Sequence, residues 1–173
     1  MERSLVERAR AGDRDAFDAL VRRKVDAVYR TAYVILGDSA DAEDATQEAF
    51  LAAWRAMPQL REVDRFDAWL GRIVRNACRM TIRRGRSRVR TLDLAGVKEP
   101  AGPDSTGDVL DAQAFDRAFD GLTVDQRALL VAHHLDGTEL ETLSDELGIP
   151  VGTVKSRLHT ARAALARGLE AER

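Results

Sequence analysis

A single cysteine, Cys78, occurs in 173 residues, so no internal disulfide can form and a reducing cytoplasm is the natural setting. No apolar run approaches the roughly 18 residues that span a bilayer, which excludes membrane insertion. The opening MERSLVERARAGD lacks the apolar centre of a secretory signal. Aromatic residues make up only 5% of the chain, leaving Ala, Leu and Val to build helical cores. A large excess of either charge is missing too. The 27 Lys and Arg stand against 29 Asp and Glu, a formal net charge of −2, so whole-chain electrostatics select no partner. Residues for covalent or metal chemistry are equally sparse. His133 and His134 point about 100° apart on a helix and are poorly placed to share one metal. Cys78 lies near an apolar face and reads as a small buried side chain. No glycine-rich phosphate loop follows a strand, because no strand pattern is apparent. No catalytic residue, metal or cofactor is expected.

What is present is charge set apart by sign. Residues 31–54 hold five acids and no Lys or Arg, residues 72–90 hold eight Arg and no acid, and residues 93–120 hold seven acids against two bases. Such segregation points to separate surfaces for separate partners. Apolar spacing predicts a short helix through Leu5, Val6 and Ala9, then a long one from Phe17 to Leu36 whose stripe is interrupted at Lys24. The next helix, about Ser39 to Met57, carries Ala42, Ala45, Ala49, Ala52, Ala53 and Ala56 for close approach. Asp44, Gln47, Glu48, Leu51 and Arg55 share another of its faces. That face is compatible with a solvated surface and with a docking surface, and Leu51 among the acids favours docking. After the loop Pro58–Arg65, Phe66, Leu70, Ile73 and Ala77 mark a helix with Trp69 and Asn76 beside its apolar face. On the far side Arg72, Arg75, Arg79, Arg83 and Arg86 recur every three or four residues. Five cations in a row repel one another unless an anion lies against them. A nucleic-acid backbone satisfies that need and releases counterions; a solvated basic face is the alternative.

Residues 85–111 are rich in Gly, Pro, Ser and Asp without periodicity, and read as a linker between two helical modules, residues 1–84 and 112–173. In the second module Phe115, Phe119 and Leu122 begin an inward stripe, and Thr123 with Gln126 has capping-box spacing. Gly137–Arg162 then reads as two helices joined at Gly148-Ile149-Pro150. From Val151 onward Val154, Leu158, Ala161 and Leu165 form one apolar stripe. Gly152, Ser156, His159 and Thr160 lie opposite, with Lys155, Arg157 and Arg162 on the shoulders. Small polar groups between cations suit a DNA groove, where hydroxyls reach base edges and cations meet phosphates. An ordinary amphipathic surface helix has the same period.

Taken together, the runs AGDRDAF, DAEDATQEAFLAAW, RFDAWLGRIVRN with its IRR tail, QRALLVAHHLDG and LGIPVGTVKSRLHTAR, in this order, resemble the bacterial extracytoplasmic-function (ECF) sigma factors, group IV of the sigma-70 family. The resemblance covers nearly the whole chain outside the linker. It implies an all-α fold of two small domains, σ2-like and σ4-like with a helix-turn-helix, on a flexible linker. It implies a non-enzymatic initiation factor that binds core RNA polymerase and takes it to specific promoters, with an anti-sigma factor as a further partner. Asp44, Gln47, Glu48 and Leu51 match the family's polymerase-docking face. Gln59, Leu60 and Arg61 fall in the loop that captures a flipped −10 base, with Asn76 beside the pocket and Arg72, Arg75, Arg79 and Arg83 along the strand. Trp69 matches a packing aromatic. Gly152, Thr153, Lys155, Ser156, Arg157, His159, Thr160 and Arg162 match the −35 recognition helix. Met80, Thr142 and Thr160 depart from the family pattern, and the Thr160 hydroxyl cannot make the two-pronged guanine contact of an arginine. Two other readings share some of these features. A one-component helix-turn-helix regulator needs neither arginine row nor base-capture loop and usually dimerises on two half-sites. A σ-like regulator acting only on an anti-sigma factor would have a degraded recognition helix.

Overall fold

A computed structural model describes the backbone of residues 2–89 and 109–171 and the side chains of residues 2–84 and 114–171. Among the described residues there is no strand. The expected linker, residues 85–111, lies mostly outside them, with helix reaching Val89 on one side and resuming at Val109 on the other.

The first module consists of α1 (Glu2–Arg10), α2 (Arg14–Leu36), α3 (Ser39–Ala56) and α4 (Phe66–Val89), with single 3₁₀ turns at Met57–Gln59 and Val63–Arg65. Side-chain caps start the helices where turn residues stand. The Ala16 amide donates to Asp13 Oδ1 at 3.0 Å, and the Asp41 amide to Asp38 Oδ1 at 2.9 Å, satisfying amides that a helix start leaves free. Ala42, Ala45, Ala49 and Ala53 of α3 are wholly buried, and this small-residue stripe lets α3 lie closely against both α2 and α4. Leu20, Ile35, Met57 and Val74 fill the rest of the core. Cys78 joins them, and burial pushes its thiol up to about 12, so it is unreactive at neutral pH. Lys24, the break in the α2 stripe, is accounted for by tertiary structure: its ammonium lies 2.7 Å from both Glu2 and Asp67 and ties α2 to α1 and α4.

The second module is α5 (Val109–Asp120), α6 (Val124–Leu130) continued by a π turn (Val131–Leu135), α7 (Leu140–Leu147) and α8 (Val151–Ala171). The expected capping box forms, with the Gln126 amide donating to Thr123 Oγ1 at 3.3 Å and the Thr123 amide to Gln126 Oε1 at 2.9 Å. Gly148, at φ +63°, ends α7 in the left-handed region that L side chains resist. Ser144 Oγ donates across the turn to the Ile149 carbonyl at 2.6 Å. Leu143, Val131, Val154, Leu158 and Ala161 form the core beneath the helix-turn-helix. The wider π turn was not legible in the periodicity. It ends where the Asp136 amide bonds back to the Val131 carbonyl at 3.0 Å. The two modules touch, α6 lying against α2 and α4, and their buried residues form one continuous cluster.

Candidate functional site

Helix α8 buries one face and exposes the other. Its buried stripe of Val154, Leu158 and Ala161 seats it on α5, α6 and α7. This leaves Gly152, Lys155, Ser156, Arg157, His159, Thr160 and Arg162 exposed, and Thr153 half-buried. Two members of the set already have partners. Thr160 Oγ1 donates to the Ser156 carbonyl at 3.0 Å, and Arg162 Nε donates to His134 Nε2 at 3.1 Å. Burial and the nearby Arg162 and His133 hold the His134 ring below its usual range, consistent with an unprotonated nitrogen accepting from arginine. His133 Nδ1 instead donates to the Thr138 carbonyl at 3.0 Å. The two imidazoles thus have separate structural partners.

The arginine row of α4 differs from its sequence-based expectation. Arg72 and Arg83 are exposed and Arg79 is half-buried; the Arg86 side chain lies outside the described residues. Arg75 is only 2% exposed. Its Nη1 donates to Asp136 Oδ2 and its Nη2 to Glu146 Oε2 at 3.0 Å, both carboxylates belonging to the second module. Arg79 Nε lies 3.8 Å from Asp125 Oδ1, and Arg79 Nη1 donates to Asn76 Oδ1 at 3.2 Å. Burial pushes the Asp136 carboxyl up, while the adjacent Arg75 charge opposes that shift. The row is free of acids only along its own helix. The neutralising acids lie 61 and 71 residues further on, beyond any local window. In the neighbouring loop Gln59 and Arg61 are exposed, whereas Leu60 is buried and anchors the loop. Trp69 is half-buried against Phe66, their ring centroids 5.8 Å apart, a packing position.

On α3, Asp44, Gln47, Glu48 and Leu51 are all exposed on one side, Leu51 by 52%. Glu48 meets Arg84 at 3.3 Å, both exposed. Gln47 and Leu51 also edge a groove of about 620 Å³ between α2 and α3, floored by Phe17, Val21, Phe50 and Trp54. Sequence reasoning missed this groove. It also missed Asp136, Glu146 and Arg127 as interface residues. For Arg127 a signal existed: a charge directly before the apolar run Ala128–Ala132.

Comparison with known proteins finds two family models along the chain. Residues 20–88 fit the Sigma-70 region 2 model and residues 112–165 the Sigma-70 region 4 model. The ECF RNA polymerase sigma factor SigM of Mycobacterium tuberculosis is 42% identical over 157 residues, covering 91% of this chain and 79% of SigM. Among solved structures, RpoE in complex with the anti-sigma factor NepR, from Bartonella quintana, superposes with a TM-score of 0.68 at 25% identity, covering 91% of this chain and 98% of RpoE. CnrH in complex with the cytosolic domain of CnrY gives 0.63 at 27% identity, covering 99% of both chains. This chain belongs to the ECF group of sigma-70 factors and is a transcription initiation factor. Sigma factors are not enzymes, and no described helix is long and apolar enough to cross a membrane.

Proposed function

We propose that the two modules divide promoter recognition between them. The exposed face of α8 binds −35 duplex, Lys155 and Arg157 meeting phosphates and Ser156 and His159 reaching base edges. With its proton given to the Ser156 carbonyl, Thr160 offers only a short acceptor, so its position contributes little base selection. The loop carrying Gln59 and Arg61, with Asn76 beside it, takes a base extracted from the −10 strand, and the α4 arginines follow the backbone. Extraction costs a few kcal/mol of stacking, so only a strand with a fitting base is held open. Asp44, Gln47, Glu48 and Leu51, with the apolar groove beside them, dock core RNA polymerase. The chain breaks no covalent bond itself, works in the cytoplasm, and is restrained by an anti-sigma partner; RpoE and CnrH, similar in structure, are each recorded in complex with another protein.

The observation that carries this reading is α8 itself. An uninterrupted buried stripe holds up a face with exposed basic and hydroxyl side chains, Lys155, Ser156, Arg157, Thr160 and Arg162. In-vitro transcription with core polymerase on a library of promoter fragments tests it. The chain is expected to select a set of two-element promoters, and Glu48→Lys to weaken capture of polymerase before it affects DNA contacts. Transcription no different from core polymerase alone would overturn the reading.

A further inference from the structure

Two buried arginines cross the boundary between the modules in opposite directions. Arg75 reaches from α4 to Asp136 and Glu146, whose side chains are 23% and 12% exposed. Arg127 reaches back from α6, donating through Nη2 to the Leu36 carbonyl at the end of α2 at 3.5 Å and through Nη1 to Asp120 at 3.3 Å. A cation is favoured at that helix C-terminus. Each arginine passes a glycine. A Cβ on Gly37 would lie 2.8 Å from Arg127 Nη1, and one on Gly71 would lie 3.1 Å from both Arg75 Nη1 and Asp136 Oδ2. The boundary is therefore closely fitted around these two guanidinium groups.

We propose that the second module is a lock on the first: in the free chain Asp136 and Glu146 occupy the guanidinium that a strand phosphate would otherwise neutralise, so strand binding requires the modules to part. This rests on the reading of α4 as a strand-binding surface. Carboxylate and phosphate oxygens offer arginine the same forked acceptor geometry, and a group 2% exposed cannot serve both. A buried charge that loses its partner is strongly disfavoured. Arg75 therefore has two favourable states, closed on the carboxylates or open to phosphate and water, and an anionic strand shifts the chain towards the second.

The test compares the full chain with Asp136→Asn/Glu146→Gln, which leaves Arg75 unneutralised, and with Gly71→Leu, which wedges the boundary without changing charge. Helical circular dichroism checks folding, X-ray scattering reads the radius of gyration without DNA, and fluorescence anisotropy reads binding to single-stranded DNA of random sequence. Both variants are expected to expand and to bind the strand about tenfold more tightly or better, and adding Arg75→Ala to either is expected to remove the gain. A radius unchanged in both folded variants would overturn the lock. Expansion without tighter binding would overturn it too, leaving the strand-binding reading of α4 to stand on transcription by the Arg75→Ala chain. A gain that survives Arg75→Ala would overturn the role given to Arg75, and the proposal with it.

Discussion

The two basic helices carry their charge in opposite circumstances. On α8 the cations Lys155 and Arg157 are exposed, and the apolar stripe on the other side seats the helix. On α4 the middle of the row has been drawn into the protein, with Arg75 buried between two carboxylates and Arg79 half-buried near a third. Basic side chains on two helices thus do different work. An exposed cation remains available to a phosphate at little cost to folding, whereas a buried one has already been neutralised and must be released. The contrast teaches that a charge pattern read along one helix locates a basic face but not its availability.

The sharpest way to break this contrast is Arg75→Glu, which sets a third carboxylate beside Asp136 and Glu146. Disrupting a buried pair of this kind costs about 3–5 kcal/mol, expected as an early urea transition in which the modules separate, together with loss of transcription. An unchanged urea profile would mean that the pair contributes nothing to closure. Next in size is Leu158→Ala, which removes the support of α8 rather than its face. Truncating a buried leucine costs about 2–5 kcal/mol, so the second module should melt earlier and −35 duplex binding should fail with it. Retained duplex binding at full stability would separate the reader from its platform. Arg157→Ala should be the mildest. Stability is expected to stay within about 0.5 kcal/mol of the parent, while the slope of log affinity against log salt for promoter duplex falls by about 1. A large loss of stability there would show that the exposed cations of α8 are structural after all, and the contrast with Arg75 would disappear.

Much of the molecule was legible before any coordinates. Some helix boundaries followed from residues whose effect is local: Thr123 and Gln126 close a capping box, and Gly148 ends α7. The exposed faces of α3 and α8 followed from 3.6-residue periodicity, because each helix buries one stripe and that stripe fixes the opposite side. What stayed hidden is of another kind. Lys24 seemed a flaw in a core stripe until Glu2 and Asp67 were placed beside it. Leu60 lay in a loop expected to face a strand, yet its side chain is spent on packing. The π turn at Val131–Leu135 adds one residue to a helical turn, a change smaller than periodicity can register.

By itself the sequence determined the helices, their inward and outward faces, the two-module division and the family to which the chain belongs, since all of these depend on neighbours within a turn or two or on ordered motifs. Only the tertiary structure decided which surface charges are free. Asp136 and Glu146 neutralise Arg75 from 61 and 71 residues away, and electrostatic energy depends on distance and burial in space, neither of which follows from separation along the chain.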